Sequence, residues 1–99
     1  MKDSLRQSLG RLAMRLAELD ANLADPAVAA DMKRYRELAR EQAEAADVVG
    51  RFRRYEARER DLATARQMLD SPDDEELAEL AREEATAAAA DIERLHAEL

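Results

Sequence analysis

The 99-residue chain has no cysteine, which excludes disulfides, thiolate catalysis and cysteine-ligated zinc. It has two glycines, Gly10 and Gly50, and they are isolated, so no glycine-rich phosphate cradle is encoded. Two prolines leave little turn chemistry. Only Tyr35, Phe52 and Tyr55 are aromatic. No apolar run approaches the roughly 20 residues of a membrane span. The start, Met1-Lys2-Asp3-Ser4-Leu5, lacks the continuous apolar core of a signal peptide. A soluble, cytoplasmic protein without membrane contact is the expectation.

What remains is alanine, leucine, glutamate and arginine. Such a composition predicts a nearly all-helical chain with short connections, and the length predicts one small domain. The charge is uneven. Residues 1–24 carry four basic and three acidic groups, and residues 25–69 carry ten and nine. Residues 70–99 carry two and eleven, so almost all of the net −7 lies in the last third. A net-acidic chain is a poor general nucleic-acid binder, because phosphate affinity needs uncompensated positive charge. A local basic face could still touch RNA.

Three helices are predicted, over about residues 4–23, 27–69 and 72–98. The first begins at Asp3 or Ser4, and Ser4-x-x-Gln7 has the form of a capping box. Leu5, Leu9, Leu12, Leu16, Leu19 and Leu23 follow at heptad spacing and predict one leucine stripe along a partner helix. Gly10 lies off that stripe. Asp25 can cap the next helix, and Pro26 suits its first turn. So short a connection implies antiparallel neighbours.

The middle helix has a seam near period 3.5: Met32, Tyr35, Leu38, Gln42, Ala45, Val49, Phe52, Glu56, Glu59, Leu62, Arg66 and Leu69. Tyr55 and Ala63 lie beside it. Val48-Val49-Gly50 is its weak point. Two readings stay open there: one bent helix, or two helices broken near Gly50. The outer helices are expected to overlap near Gln42 to Val49, where Ala43, Ala45 and Ala46 make room. Met14, Met32 and Met68 read as packing residues.

Ser71 is expected to cap the third helix, with Pro72 its first residue and Asp73, Asp74, Glu75 and Glu76 at the positive end of its dipole. Its stripe reads Leu77, Ala81, Ala85, Ala88, Ile92, Leu95 and Leu99. The fold class is therefore all-α, an antiparallel, coiled-coil-like three-helix bundle with a long central helix. No stop signal follows Leu99, which fits either a natural end that frays or a cut in the middle of a longer protein.

Little in the chain encodes chemistry. Glu93-x-x-His96 has the spacing of a di-metal carboxylate helix, but the further ligands on facing helices are missing. His96 is expected to face solvent. The acidic run from Asp73 lacks the mid-loop glycine of a calcium loop. Ser4, Ser8 and Ser71 have no histidine placed as a base. No catalytic residue, cofactor, metal or small-molecule substrate is indicated. The one candidate contact face is Arg51, Arg53, Arg54, Arg58 and Arg60. It is either a solvated face with partners such as Glu56–Arg60, Phe52 and Tyr55 turning inward, or a basic face that meets RNA or an acidic protein surface.

Three stretches carry a family resemblance. They are the Met-Lys-x-Ser-Leu start, then Tyr35-Arg36-Glu37-Leu38-Ala39-Arg40-Glu41, and then Ala65-x-x-Met68-Leu69-Asp70-x-Pro72-x-x-x-Glu76-Leu77-x-x-Leu80-Ala81-x-Glu83-Glu84. With them, nearly the whole chain resembles the N-terminal domain of bacterial peptide chain release factor 1, a class I translation termination factor. The resemblance implies a factor that reads UAA and UAG and directs peptidyl-tRNA hydrolysis on the ribosome. It implies that this domain meets the large-subunit stalk base, the recycling GTPase and the remainder of its own parent chain. The family's Gly-Gly-Gln hydrolysis loop and Pro-x-Thr codon-reading motif do not occur in these 99 residues, so no catalytic or codon-reading residue carries over. The alternative is a free-standing coiled-coil adaptor without a ribosomal role.

Overall fold

A computed structural model describes residues 1–70 and 74–99. Its elements are α1 (Asp3–Leu23), α2 (Pro26–Ala29), α3 (Met32–Asp70) and α4 (Glu75–Ala97), with no strand among the described residues. The all-α class expected from composition is what forms. The chain divides into two compact units, Met1–Gly50 and Arg51–Leu99.

In the first unit, α1 lies antiparallel to the start of α3. Leu16 and Leu19 of α1 form a core with Ala45 and Val49 of α3. Leu12, Ala13, Leu38 and Ala46 pack around it. Burying each leucine contributes roughly 1.5–3 kcal/mol, so this seam is the unit's main source of stability. Of the small residues expected to make room, Ala45 is buried and Ala46 half-buried, while Ala43 is exposed.

Polar contacts set the register of that seam. Arg15 grips Glu41 side-on, Nε to Oε2 at 2.6 Å and Nη2 to Oε1 at 2.9 Å. Gln42 Nε2 donates to Asp20 Oδ1 at 3.1 Å. The hydrogen bonds from Arg15 hold the Glu41 carboxyl below the usual range. Both partners are solvent-accessible, so the pair specifies alignment more than it stabilises.

Several sequence expectations are corrected here. The Ser4–Gln7 capping box is not used: Lys2 is the N-cap and makes no side-chain cap bond. Ser4 instead lies within the first turn, and its carbonyl accepts from Ser8 Oγ at 3.0 Å. The middle helix does not start at Ala27. Asp25 caps only the single turn Pro26–Ala29, by accepting from Ala27 N at 3.0 Å. Asp31 then starts α3 afresh, its Oδ1 accepting from Arg34 N at 3.2 Å. A short side chain able to bond its own backbone favours such a restart over continuation. Val28 is buried, and α2 packs against α1.

The readings left open at Gly50 resolve to one uninterrupted helix. Val49 is only 1% exposed, and its burial offsets the weak propensity of Val-Val-Gly. Met32 and Tyr35, expected in the seam, are exposed, as are Met14 and Met68. The packing role expected of those three methionines is therefore not theirs.

In the second unit, α3 and α4 run antiparallel. The buried α3 residues are Phe52, Tyr55 and Ala65, with Leu62 half-buried. The seam thus follows 55, 62 and 65, where the extrapolated period gave Glu56 and Arg66. On α4 the buried residues are Ala78, Ala81, Ala88 and Leu95. Leu77, expected to lead the stripe, is 46% exposed. Ala78 keeps the 3-4 alternation into 81, 85, 88, 92 and 95, and periodicity prevails over side-chain size.

The Ser71 cap and the Pro72 start lie outside the described residues. Asp74, expected inside the first turn, is the N-cap: its backbone is extended and its Oδ1 accepts from Glu76 N at 2.8 Å. Glu75 and Glu76 occupy the first turn, and Arg94 and His96 the last, complementing the dipole at both ends.

Candidate functional site

The five arginines of the candidate face lie on consecutive turns of α3 in the second unit, and the structure separates them. Phe52 and Tyr55 turn into the core, at 6% and 3% exposure. The helical period then carries Arg53 and Arg60, seven residues apart, onto one stripe away from those aromatics. Arg53, Arg54 and Arg60 are exposed and make no ion pair among the described residues. The Glu56–Arg60 pair that sequence spacing suggested is therefore absent. Arg51 is half-buried and engaged.

Arg58 has a different role. Its side chain is 23% exposed and reaches across to α4. Nη1 donates to Asp61 Oδ2 at 2.8 Å and to Glu84 Oε1 at 2.7 Å. Nε lies 2.9 Å from Asp91 Oδ2. That Nε is shielded from water and lacks an aligned acceptor, so its contact with Asp91 is Coulombic. Hydrogen bonding to Asp61, then to Glu84, holds the guanidinium pKa above its ordinary value. One cation thus gathers three carboxylates from two helices and pins their register.

Only Asp61, three residues away on the same helix, was a local signal for this cluster. Glu84 and Asp91 are a heptad apart on α4, so they share a face. That spacing was the overlooked clue. His96 is exposed on α4, with its ring 6.1 Å from that of Tyr55 and tilted by 48°. Among the described residues, no group of three or more His, Asp or Glu side chains is arranged to hold a metal ion. No described helix is long and apolar enough to cross a membrane. The arrangement leaves Arg53, Arg54 and Arg60 exposed on a hairpin whose two helices Arg58 joins.

The PCRF domain model matches residues 12–99, and the chain belongs to that family. Peptide chain release factor 1 of Leptothrix cholodnii is 52% identical over 99 residues, covering all of this chain and 27% of that protein. The proteins of the same name from Paracidovorax citrulli and Methylibium petroleiphilum are each 50% identical over the same length, again covering 27% of those proteins. The chain thus spans about a quarter of the length of these curated relatives. No solved structure matches it.

Proposed function

We propose that this chain is the N-terminal accessory domain of a cytoplasmic peptide chain release factor. Such a factor terminates translation at UAA and UAG and directs peptidyl-tRNA hydrolysis on the ribosome. The observation that carries the reading is the identity of about half over the full chain to proteins named peptide chain release factor 1. The domain contributes contacts, and the chemistry belongs to other parts of the protein. This reading is supported by the absence of adjacent glycines, and so of a Gly-Gly-Gln loop, from these 99 residues. Its partners are the stalk base of the large ribosomal subunit, the recycling GTPase and the rest of its own chain.

Within the domain, Arg53, Arg54 and Arg60 form the ribosome-facing surface. Exposed arginines without partners keep their charge available for phosphate or carboxylate, whereas Arg58 spends its charge inside the fold. Pelleting with 70S ribosomes at low and moderate salt tests the assignment. Arg53→Glu with Arg54→Glu is expected to weaken pelleting while leaving helicity intact. Pelleting equal to that of the unaltered chain would make those arginines a solvated face only.

A further inference from the structure

The second unit leaves an open groove of about 770 Å³ between the end of α3 and the start of α4. Its floor is made of small, covered residues: Ala65 and Ala81 are 2% and 3% exposed. Its walls are large apolar side chains that stay wet. Met68, Leu77 and Leu80 are 44%, 46% and 57% exposed. Three such side chains on one concave surface leave apolar area in water, where further burial is favourable. Alanines below and long side chains on either side form a channel of the shape into which a third helix packs closely.

Charge selects the occupant. Asp61, Glu83 and Glu84 line the groove; Arg58 bonds Asp61 and Glu84, and Glu83 is the carboxylate of the three that it does not hold. From residue 74 to 84 the chain carries six carboxylates and one cation, Arg82. Arg82 is already held by Glu75 at 2.9 Å and Glu79 at 2.8 Å. Such a rim repels nucleic-acid phosphate and anionic lipid. It also disfavours a second copy of this chain, whose net charge is −7.

We propose that the groove binds an amphipathic helix of a partner protein, with a stripe of Leu, Ile or Met at i, i+3, i+4 and i+7 flanked by Lys or Arg. The apolar stripe covers Met68, Leu77 and Leu80, and the flanking cations meet the acidic rim. This surface is separate from the Arg53–Arg60 stripe, so the pelleting result above does not decide it.

A synthetic Leu/Lys amphipathic peptide, and a Leu/Glu peptide of the same apolar spacing, serve as probes of the methyl-labelled chain by NMR. The Lys peptide is expected to saturate and to shift the Met68, Leu77 and Leu80 methyls. Leu80→Asp is expected to weaken it by at least about tenfold, the scale for losing an interface anchor. Leu80 is exposed, so circular dichroism should show the variant folded. Glu83→Lys, at the exposed rim, provides an independent variant and is expected to weaken the Lys peptide as well. The proposal is overturned by absent shifts, by shifts confined to other surfaces, or by equal binding of the Leu/Glu peptide. Self-association that covers the same methyls would assign the groove to a second copy and overturn it too.

Discussion

The two units join similar helices by different means. In Met1–Gly50, leucines from α1 meet Ala45 and Val49, and the bidentate Arg15–Glu41 pair sits at the margin. In Arg51–Leu99, α4 brings Ala78, Ala81 and Ala88 to its seam, with Leu95 its one large buried side chain, and the large buried side chains of α3 are Phe52 and Tyr55. Alanine lets helices approach but removes little apolar area from water. There the charge cluster around Arg58 pins the register, as Arg15–Glu41 and Gln42–Asp20 do beside the leucines of the first unit. A groove also stays open where alanines are flanked by Met68, Leu77 and Leu80.

Substitutions in the first unit sharpen that comparison. Leu19 is fully buried, and Leu19→Ala is expected to lower the unfolding free energy by about 2–5 kcal/mol. Urea unfolding reads this directly. A loss under about 1 kcal/mol would mean that leucine packing does not dominate the first unit. Next in size is a gain. A Cβ added at Gly10 meets nothing within 4 Å, so Gly10→Ala should stabilise by roughly 1 kcal/mol through helix propensity. A lowered melting temperature would show that α1 is constrained there by something other than its backbone.

The smallest expected effect concerns Glu41. Its folded pKa is depressed by Arg15, so the stability it contributes is present above the ordinary glutamate pKa and disappears as pH falls through the folded value. The unaltered chain and Glu41→Gln should therefore differ in melting temperature near neutral pH and converge as the pH falls from the ordinary glutamate range through the depressed folded value. A difference that persists in acid would remove the ion pair as its cause.

Much of the fold was legible because helical period and capping are local. The leucine stripe of α1 and the Asp25–Pro26 turn follow from residues a few positions apart. What was missed involves competition between local and distant terms. Leu77 is the larger side chain, yet Ala78 holds the heptad, so size misled where spacing decided. The seam of α3 was extrapolated through Glu56 and Arg66, whereas Tyr55 and Ala65 are the residues buried. Asp31 caps α3 six residues after Asp25 caps α2, and local spacing alone does not choose between one helix start and two. The candidate face was legible as a cluster of arginines but not as two roles. Arg58 is set apart by Glu84, which lies 26 residues away in sequence.

That division of the arginines is tested most directly by two readouts on two variants, thermal unfolding and 70S pelleting. Arg58→Ala leaves Asp61, Glu84 and Asp91 without their shared cation, and it is expected to lower the melting temperature. Arg53→Glu with Arg54→Glu is expected to keep the melting temperature and lose pelleting. The contradicting result is a double variant that pellets like the unaltered chain, or one that loses as much thermal stability as Arg58→Ala.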